Sequence, residues 1–379
     1  MGSDIQEVTS PKVDLVGPRF TRRIGADVDE IVKRVGEDFQ KLSGTTLLVT
    51  GANGFLCSYF IDTVAALNEN VLQSPCRVIA LDNHKVGLPV RLAHLAGRDD
   101  VSFVQHDVSQ PLDTGPVDWI IHGASIASPV FYRQFPLETI SANVNGTWQM
   151  LELSRRKDVR SILYLSTSEI YGDPDPAFIP TAEEYRGQVS CTGPRACYDE
   201  SKRLAETLCM TYYRTYGTPV KIMRPFNVYG PGQRLDDGRI IPDLIGAAVR
   251  REPIVMYSDG RATRAFCYIS DAVSAMWHVL LSDASGEIFN VGNDLEELEI
   301  REVAQRLQEV AGAPRLEIEY RQSADIHFVT DNPQRRCPDL SKLRGQFSWK
   351  PEVDLTRGLE RTLQANLEQP QAVAAGEDI

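Results

Sequence analysis

The sequence predicts an α/β protein with a doubly wound parallel sheet. Two observations predict it: short apolar runs recur through the first 225 residues, and segments with helical periodicity separate them. Strands that are apolar along their whole length are typical of a parallel sheet with helices on both faces. A chain of 379 residues is long enough for such a sheet and for a second, smaller domain.

Six apolar runs are predicted to be the strands of this sheet, at residues 45–50, 77–82, 101–107, 119–122, 161–166 and 220–224. Helical periodicity predicts helices at residues 55–67, 138–157 and 198–216. The alternation ends near residue 226. Glycine, proline and aspartate then predict a loop at 226–238, followed by helices at 242–251 and 300–311. This later part of the chain predicts the smaller α/β domain.

The two ends of the chain lie outside this pattern. Residues 27–42 carry apolar side chains at helical spacing, which predicts an amphipathic helix in an N-terminal extension, residues 1–42. We expect that helix to pack on the body of the protein or on a second subunit. Residues 363–379 are mostly small and polar, and we expect them to form a frayed tail.

Charge and cysteine content narrow the class of protein. The net charge of -12 and the pI near 5.1 argue against nucleic acid or an anionic membrane surface as a partner. No apolar run reaches the ~20 residues of a membrane span, and the first residues lack the pattern of a secretory signal. The cysteines are scattered, with no Cys-x-x-Cys pair, so neither a disulfide framework nor a metal site is predicted. We therefore expect a cytoplasmic protein.

A glycine-rich turn, TGANGFLC at residues 50–57, follows the first predicted strand and opens a helix. In that setting Gly51 allows the tight turn, and Gly54 lets the backbone approach a pyrophosphate at the helix N-terminus. The third position of the motif is Cys57, where a small residue serves mainly the packing of helix on strand. The turn predicts a Rossmann-type sheet that binds a dinucleotide.

Acidic residues follow the next two predicted strands. The Asp82 carboxylate can accept hydrogen bonds from the adenosine ribose hydroxyls. It would repel a 2′-phosphate, which favours NAD, although the basic residues that follow it, up to Arg91, leave NADP open. Asp107 and Val108 are predicted to meet the adenine, and the alternative for Asp107 is a strand-end cap.

Tyr198 and Lys202 lie four residues apart in GPRACYDESK, residues 193–202, so on a helix they share one face. A phenol titrates near pH ~10, and an ammonium group one turn away lowers that pKa by favouring the phenolate. Such a pair can take the proton of a sugar hydroxyl while a nicotinamide takes the hydride. Thr167, in LSTSEIYG at residues 165–172, can hydrogen-bond the same hydroxyl.

These motifs, together with RPFNVYGP at residues 224–231, resemble the extended short-chain dehydrogenase/reductase family, the NAD-dependent epimerases and dehydratases of nucleotide sugars. The resemblance runs from about residue 45 to 362 and is greatest to the UDP-glucuronic acid decarboxylases. The domains it implies are a NAD-binding Rossmann domain at 43–225, with a return segment near 266–292, and a substrate-binding domain made of 226–265 and 293–362.

The resemblance implies a redox-neutral conversion of UDP-glucuronic acid to UDP-xylose with a tightly held NAD. Tyr198, assisted by Lys202 and Thr167, would take the C4 hydroxyl proton as hydride passes to NAD. The product is a β-keto acid, which would lose carbon dioxide before hydride returns to C4. A homodimer that joins through helices near 140–157 and 198–216 is implied as well.

The resemblance also assigns roles residue by residue. The catalytic residues it implies are Thr167, Glu169, Tyr198, Lys202 and Arg264. The residues it implies for NAD are Gly51, Asn53, Gly54, Phe55, Leu56, Asp82, Asn83, Asp107, Val108, Ala124, Ser125, Asn143, Tyr198 and Lys202. The residues it implies for the substrate are Tyr132, Ser168, Asn227, Arg234, Arg239 and Arg264.

Departures from the decarboxylase pattern leave other reactions open. Where the decarboxylases usually have HLACPASPP, this chain has HGASIASPV at residues 122–130. Where they usually have a lysine on the substrate side, before the asparagine that matches Asn143, this chain has Ser141. The usual GPR is GPG at residues 230–232. The alternatives are a 4-epimerase acting on UDP-glucuronate or a UDP-hexose, a 4,6-dehydratase and, remotely, a non-catalytic NAD-binding protein. Ser168 disfavours the dehydratase, because such enzymes resemble Thr-Asp-Glu there and use the Asp as an acid.

Overall fold

A parallel sheet lies at the centre of the fold. The structure is a computed structural model, and it describes residues 18–312, 316–321 and 333–369. The strands of this part of the chain are β1 (Thr46–Thr50), β2 (Arg77–Asp82), β3 (Val101–Gln105), β4 (Trp119–His122), β5 (Ser161–Leu165), β6 (Val220–Pro225), β7 (Val228–Tyr229), β8 (Ile254–Met256), β9 (Thr263–Ala265), β10 (Cys267–Tyr268), β11 (Glu287–Val291), β12 (Glu297–Glu299), β13 (Ile318–Tyr320) and β14 (Arg335–Arg336).

Seven strands form the central sheet in the order β11-β6-β5-β4-β1-β2-β3, and every neighbouring pair is parallel. The chain starts in the middle, because β1 pairs with β2 on one side and β4 on the other. Thr50, at the end of β1, lies opposite both Leu81 and His122. Open α/β sheets bind ligands at such a reversal of strand order. The predicted fold class, a doubly wound parallel sheet of Rossmann type, is confirmed.

Helices cover both faces of the sheet. They are α1 (Arg22–Val35), α2 (Phe55–Asn70), α3 (Pro129–Gln134), α4 (Pro136–Ser141), α5 (Thr147–Lys157), α6 (Ala196–Tyr216), α7 (Ile240–Arg250), α8 (Ile269–Leu281), α9 (Ile300–Ala311), α10 (Ser341–Gln346) and α11 (Leu355–Leu367). Within the described ranges, none of these helices combines the length and the apolar character needed to cross a membrane.

Two apolar cores result from the alternation of side chains along the strands. In β1, Leu47 and Val49 belong to one core, which includes residues of α2 and α8. Leu48 points to the opposite face and belongs to the second core, with Met150 of α5 and Ala205 of α6. Successive residues of a strand face opposite sides, so a sheet covered on both faces needs apolar residues throughout.

A smaller layer of short strands and helices follows β6. In it β7 pairs with β10, β8 pairs with β13, and β9 lies between β12 and β14. The pairing of β9 with β14 places Arg264 opposite Arg336, so two arginines far apart in sequence become neighbours. The segment predicted as a loop at 226–238 contains the short strand β7 at its start.

The helix predicted at 138–157 is interrupted. It consists of α4, a π-helical turn at Ala142–Gly146, and α5. Inside the turn, Thr147 donates its hydroxyl to the Asn143 carbonyl over 2.5 Å. A Cβ atom on Gly146 would lie 2.6 Å from Val108, so the turn brings the backbone close to the end of β3.

The predicted frayed tail, residues 363–379, is wrong for its first residues. The helix α11 continues to Leu367, and Leu363 and Ala365 on its inner face are buried. These apolar residues recur at helical spacing among polar ones, which is enough to hold the helix against the body of the protein. Residues 370–379 of the predicted tail lie outside the described residues.

The N-terminal helix α1 packs against α2, α8 and α11. It starts at Arg22, earlier than the predicted helix, and gives way to a 3₁₀ helix at Gly36–Leu42. Asp27 on its inner face is fully buried and accepts hydrogen bonds from Arg23 and from the Tyr268 hydroxyl, the latter over 2.9 Å. A buried carboxylate requires such partners, so α1 is fixed to β10 in one position.

Candidate active site

A cavity of about 520 Å³ opens at the carboxyl ends of the parallel strands. Its walls come from the segments that follow β1 to β7, and from β9, β14 and the start of α6. The sequence-predicted residues that line it are Gly51, Asn53, Gly54, Phe55, Leu56, Asp82, Asn83, Val108, Ala124, Ser125, Tyr132, Thr167, Ser168, Glu169, Tyr198, Lys202, Asn227, Arg234, Arg239 and Arg264.

Two residues predicted to bind the cofactor do not line this cavity. The Asp107 carboxylate accepts hydrogen bonds from the backbone and the hydroxyl of Ser109, over 2.9 and 2.8 Å, so the structure favours the strand-end cap over contact with an adenine. Asn143 donates its amide to the Ser201 hydroxyl over 2.8 Å and thereby joins the π-helical turn to α6. Ser141 does not line the cavity either, and its hydroxyl accepts from Asn145.

The glycine-rich turn has the geometry that the sequence predicts. Gly51 adopts a φ of +71°, and a Cβ atom there would lie 2.8 Å from the backbone of Ala124. A Cβ atom on Gly54 would lie 2.9 Å from the Gly51 carbonyl oxygen. Only glycine adopts this positive φ without strain and also avoids the contact with the segment after β4, so the N-terminus of α2 is left open toward the cavity.

Cys57, at the third position of the motif, packs into space that Gly123 leaves. The Cys57 side chain is buried, and a Cβ atom on Gly123 would collide with its sulfur. In the decarboxylase pattern a leucine is usual where this chain has Gly123. In this chain the larger side chain of the contacting pair is therefore Cys57 on the helix, and the glycine is in the segment after β4.

Asp82 closes the far end of the cavity. Its carboxylate accepts the backbone N–H of Asn53 over 3.0 Å and that of His84 over 2.8 Å. Burial raises the pKa of Asp82. Two of the basic residues that left NADP open have carboxylate partners: Arg91 pairs with Asp62 over 2.6 Å, and Lys85 pairs with Glu138 over 2.6 Å.

Tyr198, Lys202 and Thr167 meet at the opposite end. The Lys202 ammonium donates to the Leu165 carbonyl over 2.8 Å and lies 6.0 Å from the centre of the Tyr198 ring. Thr167 hydrogen-bonds Tyr198 through its side chain. The Tyr198 ring stacks on Tyr132, with the ring centres 5.1 Å apart.

The expected lowering of the tyrosine pKa is not found in the protein alone. Burial raises the pKa of Tyr198 to about 12, although Arg239 and the hydrogen bond to Thr167 both act to lower it. Burial also lowers the pKa of Lys202 to about 8. Desolvation disfavours both charged forms, and a further positive charge in the cavity would favour the phenolate.

Glu169 is held by two arginines that sequence reasoning missed. Arg195, just before α6, donates to one carboxylate oxygen. Arg336 of β14 donates to both oxygens, through NH1 to one and through NH2, over 2.8 Å, to the other. Burial alone would raise the pKa of Glu169, but these guanidinium groups outweigh it and hold the pKa well below its usual range. Arg195 lies inside the motif that contains Tyr198, so the sequence could have indicated it as a site residue. No sequence motif around Arg336 indicates such a role.

Arg264 lies beside this group. Its guanidinium donates to the Pro333 and Thr263 carbonyls, over 2.6 and 2.8 Å. Burial and the nearby charge of Arg336 together lower the pKa of Arg264 to about 9, against the opposing effect of Glu169. Three guanidinium groups thus lie around the Glu169 carboxylate, and Arg195 has a second carboxylate partner in Asp199, 3.6 Å away. Three cations against these two anions leave this end of the cavity with a smaller excess of positive charge.

The remaining predicted substrate residues lie along the same side. Asn227, at a φ of +41°, donates its amide to the Ala265 carbonyl over 3.1 Å. Arg239 donates to the Ala127 carbonyl over 2.6 Å and pairs with Asp237. Ser168 is buried beside Glu169. Their roles toward a substrate remain predictions.

Comparison with known families identifies the family of the chain. The model of the NAD dependent epimerase/dehydratase family matches residues 47–292. The chain belongs to this family. UDP-glucuronic acid decarboxylase 6 of Arabidopsis thaliana is 39% identical over 317 residues, covering 84% of this chain and 87% of that protein. UDP-glucuronic acid decarboxylase 1 of Xenopus tropicalis is 36% identical over 369 residues, covering 96% and 80%.

Solved structures of the family share the fold. A dTDP-glucose 4,6-dehydratase from Streptomyces venezuelae, with NAD bound, is 27% identical with a TM-score of 0.74, over 86% of this chain and 97% of that one. A UDP-glucuronic acid 4-epimerase from Bacillus cereus, in complex with UDP-glucuronic acid and NAD, is 24% identical with a TM-score of 0.70, over 85% and 98%. The second likeness concerns the fold alone.

The cavity fits the NAD of this family. Among the described residues, the side-chain oxygens of Asn53 and Ser125 are buried without a hydrogen-bond partner, and both residues line the cavity. Buried polar atoms are normally paired, so these two indicate where a polar ligand belongs. The glycine turn would hold the pyrophosphate, Asp82 the adenosine ribose, and Tyr198 and Lys202 the nicotinamide end.

The packing of Cys57 against Gly123 predicts a coupled pair of substitutions. Gly123→Ala should lower the free energy of unfolding by about 1–3 kcal/mol, because the new methyl group overpacks the contact with the sulfur. Adding Cys57→Ala to that variant should restore part of the loss. Denaturant unfolding of both variants measures this, with Gly115→Ala as control, since nothing lies within 4 Å of a Cβ atom there. A Gly123→Ala protein as stable as the parent would contradict the packing.

Proposed function

We propose that this protein is a NAD-dependent nucleotide-sugar decarboxylase that converts UDP-glucuronic acid to UDP-xylose. The observation that carries the proposal is the cluster of Arg195, Arg264 and Arg336 beside Tyr198, in a chain 36–39% identical to UDP-glucuronic acid decarboxylases. Guanidinium groups suit a carboxylate, because they offer paired donors and a fixed charge. A site for an uncharged hexose has no need of such an excess.

Tyr198 is the group that moves the C4 proton. As the phenolate, its oxygen accepts the proton of the sugar hydroxyl while the C4–H bond breaks, and Thr167 orients the same sugar oxygen. Lys202 is fixed by the Leu165 carbonyl and contributes positive charge below the tyrosine ring. NAD, when bound, takes up the hydride and later returns it, and its positively charged nicotinamide favours the phenolate in the first step.

The arginine cluster serves the second step. Oxidation at C4 makes the sugar a β-keto acid, whose C5–carboxylate bond breaks with its electrons passing to the ketone. The resulting enolate takes up a proton from water at C5, which gives the 4-keto pentose and leaves C4 ready for the returning hydride. The guanidinium groups hold the carboxylate in place, and Glu169 balances part of their charge. Tyr198 then returns its proton to the C4 oxygen as the pentose forms, so no net proton is used by the tyrosine.

Incubation of the purified protein with UDP-glucuronic acid tests the proposal. We expect carbon dioxide release and UDP-xylose by mass, without net accumulation of NADH. Tyr198→Phe should reduce the rate about 10²–10⁴-fold, because it removes the acid–base group, while NAD stays bound. Tyr216→Phe, at the exposed end of the same helix, is the matched control. A product of unchanged mass would instead indicate epimerisation and would sink the proposal.

The role of the arginine cluster is tested by two neighbours on β14. Arg336 is buried against Glu169, whereas the exposed Arg335 pairs with Glu297. Arg336→Met should lower kcat/KM for UDP-glucuronic acid about 10-fold or more, as expected for loss of a charge-assisted contact, and Arg264→Met should act in the same direction. Arg335→Met should change it little. Equal loss of NAD binding and of sugar turnover in Arg336→Met would mean that the residue is structural.

We further propose a homodimer that forms through α4, α5 and α6. Large apolar side chains on these adjacent helices are exposed, namely Leu137, Ile140, Trp148 and Leu204. Exposed apolar patches of this kind mark protein–protein contacts. Light scattering should show a dimer that Trp148→Glu converts to a monomer, while Leu295→Glu, at an exposed leucine elsewhere on the surface, has no effect. A monomeric parent protein would refute this interface.

A further inference from the structure

Two loops meet at the wall of the cavity. The β2 loop, residues 83–88, follows Asp82 on the adenosine side, and the β7 loop, residues 230–239, connects β7 to α7 on the substrate side. Arg234 of the β7 loop donates to the Val86 carbonyl of the β2 loop over 2.9 Å. Both residues line the cavity, so this hydrogen bond joins two of its walls.

The Arg234 guanidinium has further partners within the protein. Its Nε and NH2 groups donate to the two oxygens of Asp236, over 2.8 and 2.5 Å, and its plane lies 5.1 Å from the centre of the Phe131 ring. Each of its three nitrogens therefore has a partner within the protein. The resemblance assigns Arg234 to the substrate, whereas these contacts use it to join loops.

The β2 loop is held from a second direction. Lys85 pairs with Glu138 of α4 and lies 4.4 Å from the centre of the Phe135 ring. Val86 packs with the small apolar cluster that contains Tyr132 and Tyr198. The loop that begins at the ribose-binding aspartate is thus fixed over the nicotinamide end as well.

The β7 loop is itself held by contacts with α2 and Arg91. Tyr59 of α2 donates its hydroxyl to the Pro231 carbonyl over 3.0 Å. Gly232 adopts a φ of +86°, and a Cβ atom there would lie 3.0 Å from the Arg91 guanidinium. Since the β7 loop rests directly on the cofactor side of the protein, the Arg234 contact ties the β2 loop to a fixed support.

We propose that Arg234 is a latch that retains the nicotinamide nucleotide between the two hydride transfers. This inference rests on the proposed function, in which the hydride removed from C4 must return to the same sugar after carbon dioxide has left. If reduced nucleotide leaves first, the products are the 4-keto pentose, carbon dioxide and NADH, and no xylose forms. Holding the β2 loop closed prevents that loss.

The test compares Arg234→Met with Arg250→Met. Methionine keeps an apolar stem beside Phe131 and removes every donor. Arg250 is a matched control, because it forms the same kind of pair with a carboxylate two residues later, Glu252, but makes no contact across the cavity. Release of NADH from each protein, without any sugar, is followed by stopped-flow fluorescence, and thermal unfolding verifies that both variants fold.

We expect NADH to leave Arg234→Met about 10-fold faster or more, as for loss of a charge-assisted hydrogen bond, and Arg250→Met to match the parent. With UDP-glucuronic acid, Arg234→Met should release 4-keto sugar in place of part of the UDP-xylose and should depend on added NAD. Unchanged NADH release overturns the latch, whether or not KM for the sugar rises; a raised KM alone would make Arg234 a substrate ligand. Because the release assay needs no sugar, faster release in a protein that does not use UDP-glucuronic acid would uphold the latch and refute only the proposed reaction.

Discussion

The substrate end of the cavity depends on one carboxylate, that of Glu169, held between Arg195 and Arg336. Three segments meet there: the turn after β5, the start of α6 and the short strand β14. Without the carboxylate, the guanidinium groups would repel one another in a buried setting, which is costly. The contact therefore closes the smaller α/β layer onto the sheet, and it also fixes how much positive charge remains for a ligand.

Much of the fold could be predicted because its signals are local. A buried parallel strand is an unbroken apolar run, and the turn at Gly51 follows one directly. The π-helical turn at Ala142–Gly146 could not be predicted, since a change from i→i+4 to i→i+5 hydrogen bonds over five residues is too short to show in the apolar periodicity. The end of α11 was missed because few apolar residues, such as Leu363, suffice to hold a final turn.

The candidate site likewise contains residues that could be predicted from the sequence and residues that could not. Tyr198, Lys202 and Thr167 lie in recognisable motifs, and the structure brings them together. Arg336 was missed because its proximity to Glu169 comes from the pairing of β14 with β9, which no local pattern reveals. The acidity of Tyr198 was misjudged for a physical reason: spacing indicates a neighbouring charge, but the depth of burial, which opposes ionisation, is a property of the whole fold.

The contact between Cys57 and Gly123 has a consequence for how this sequence can change over time. The two positions share a single space between helix and strand, so a larger residue at one demands a smaller residue at the other. A leucine at position 123 beside Cys57 would overpack this space, whereas glycine at both positions would leave a small cavity. Of the two orders in which the positions can be exchanged, the one that passes through the smaller pair avoids the clash.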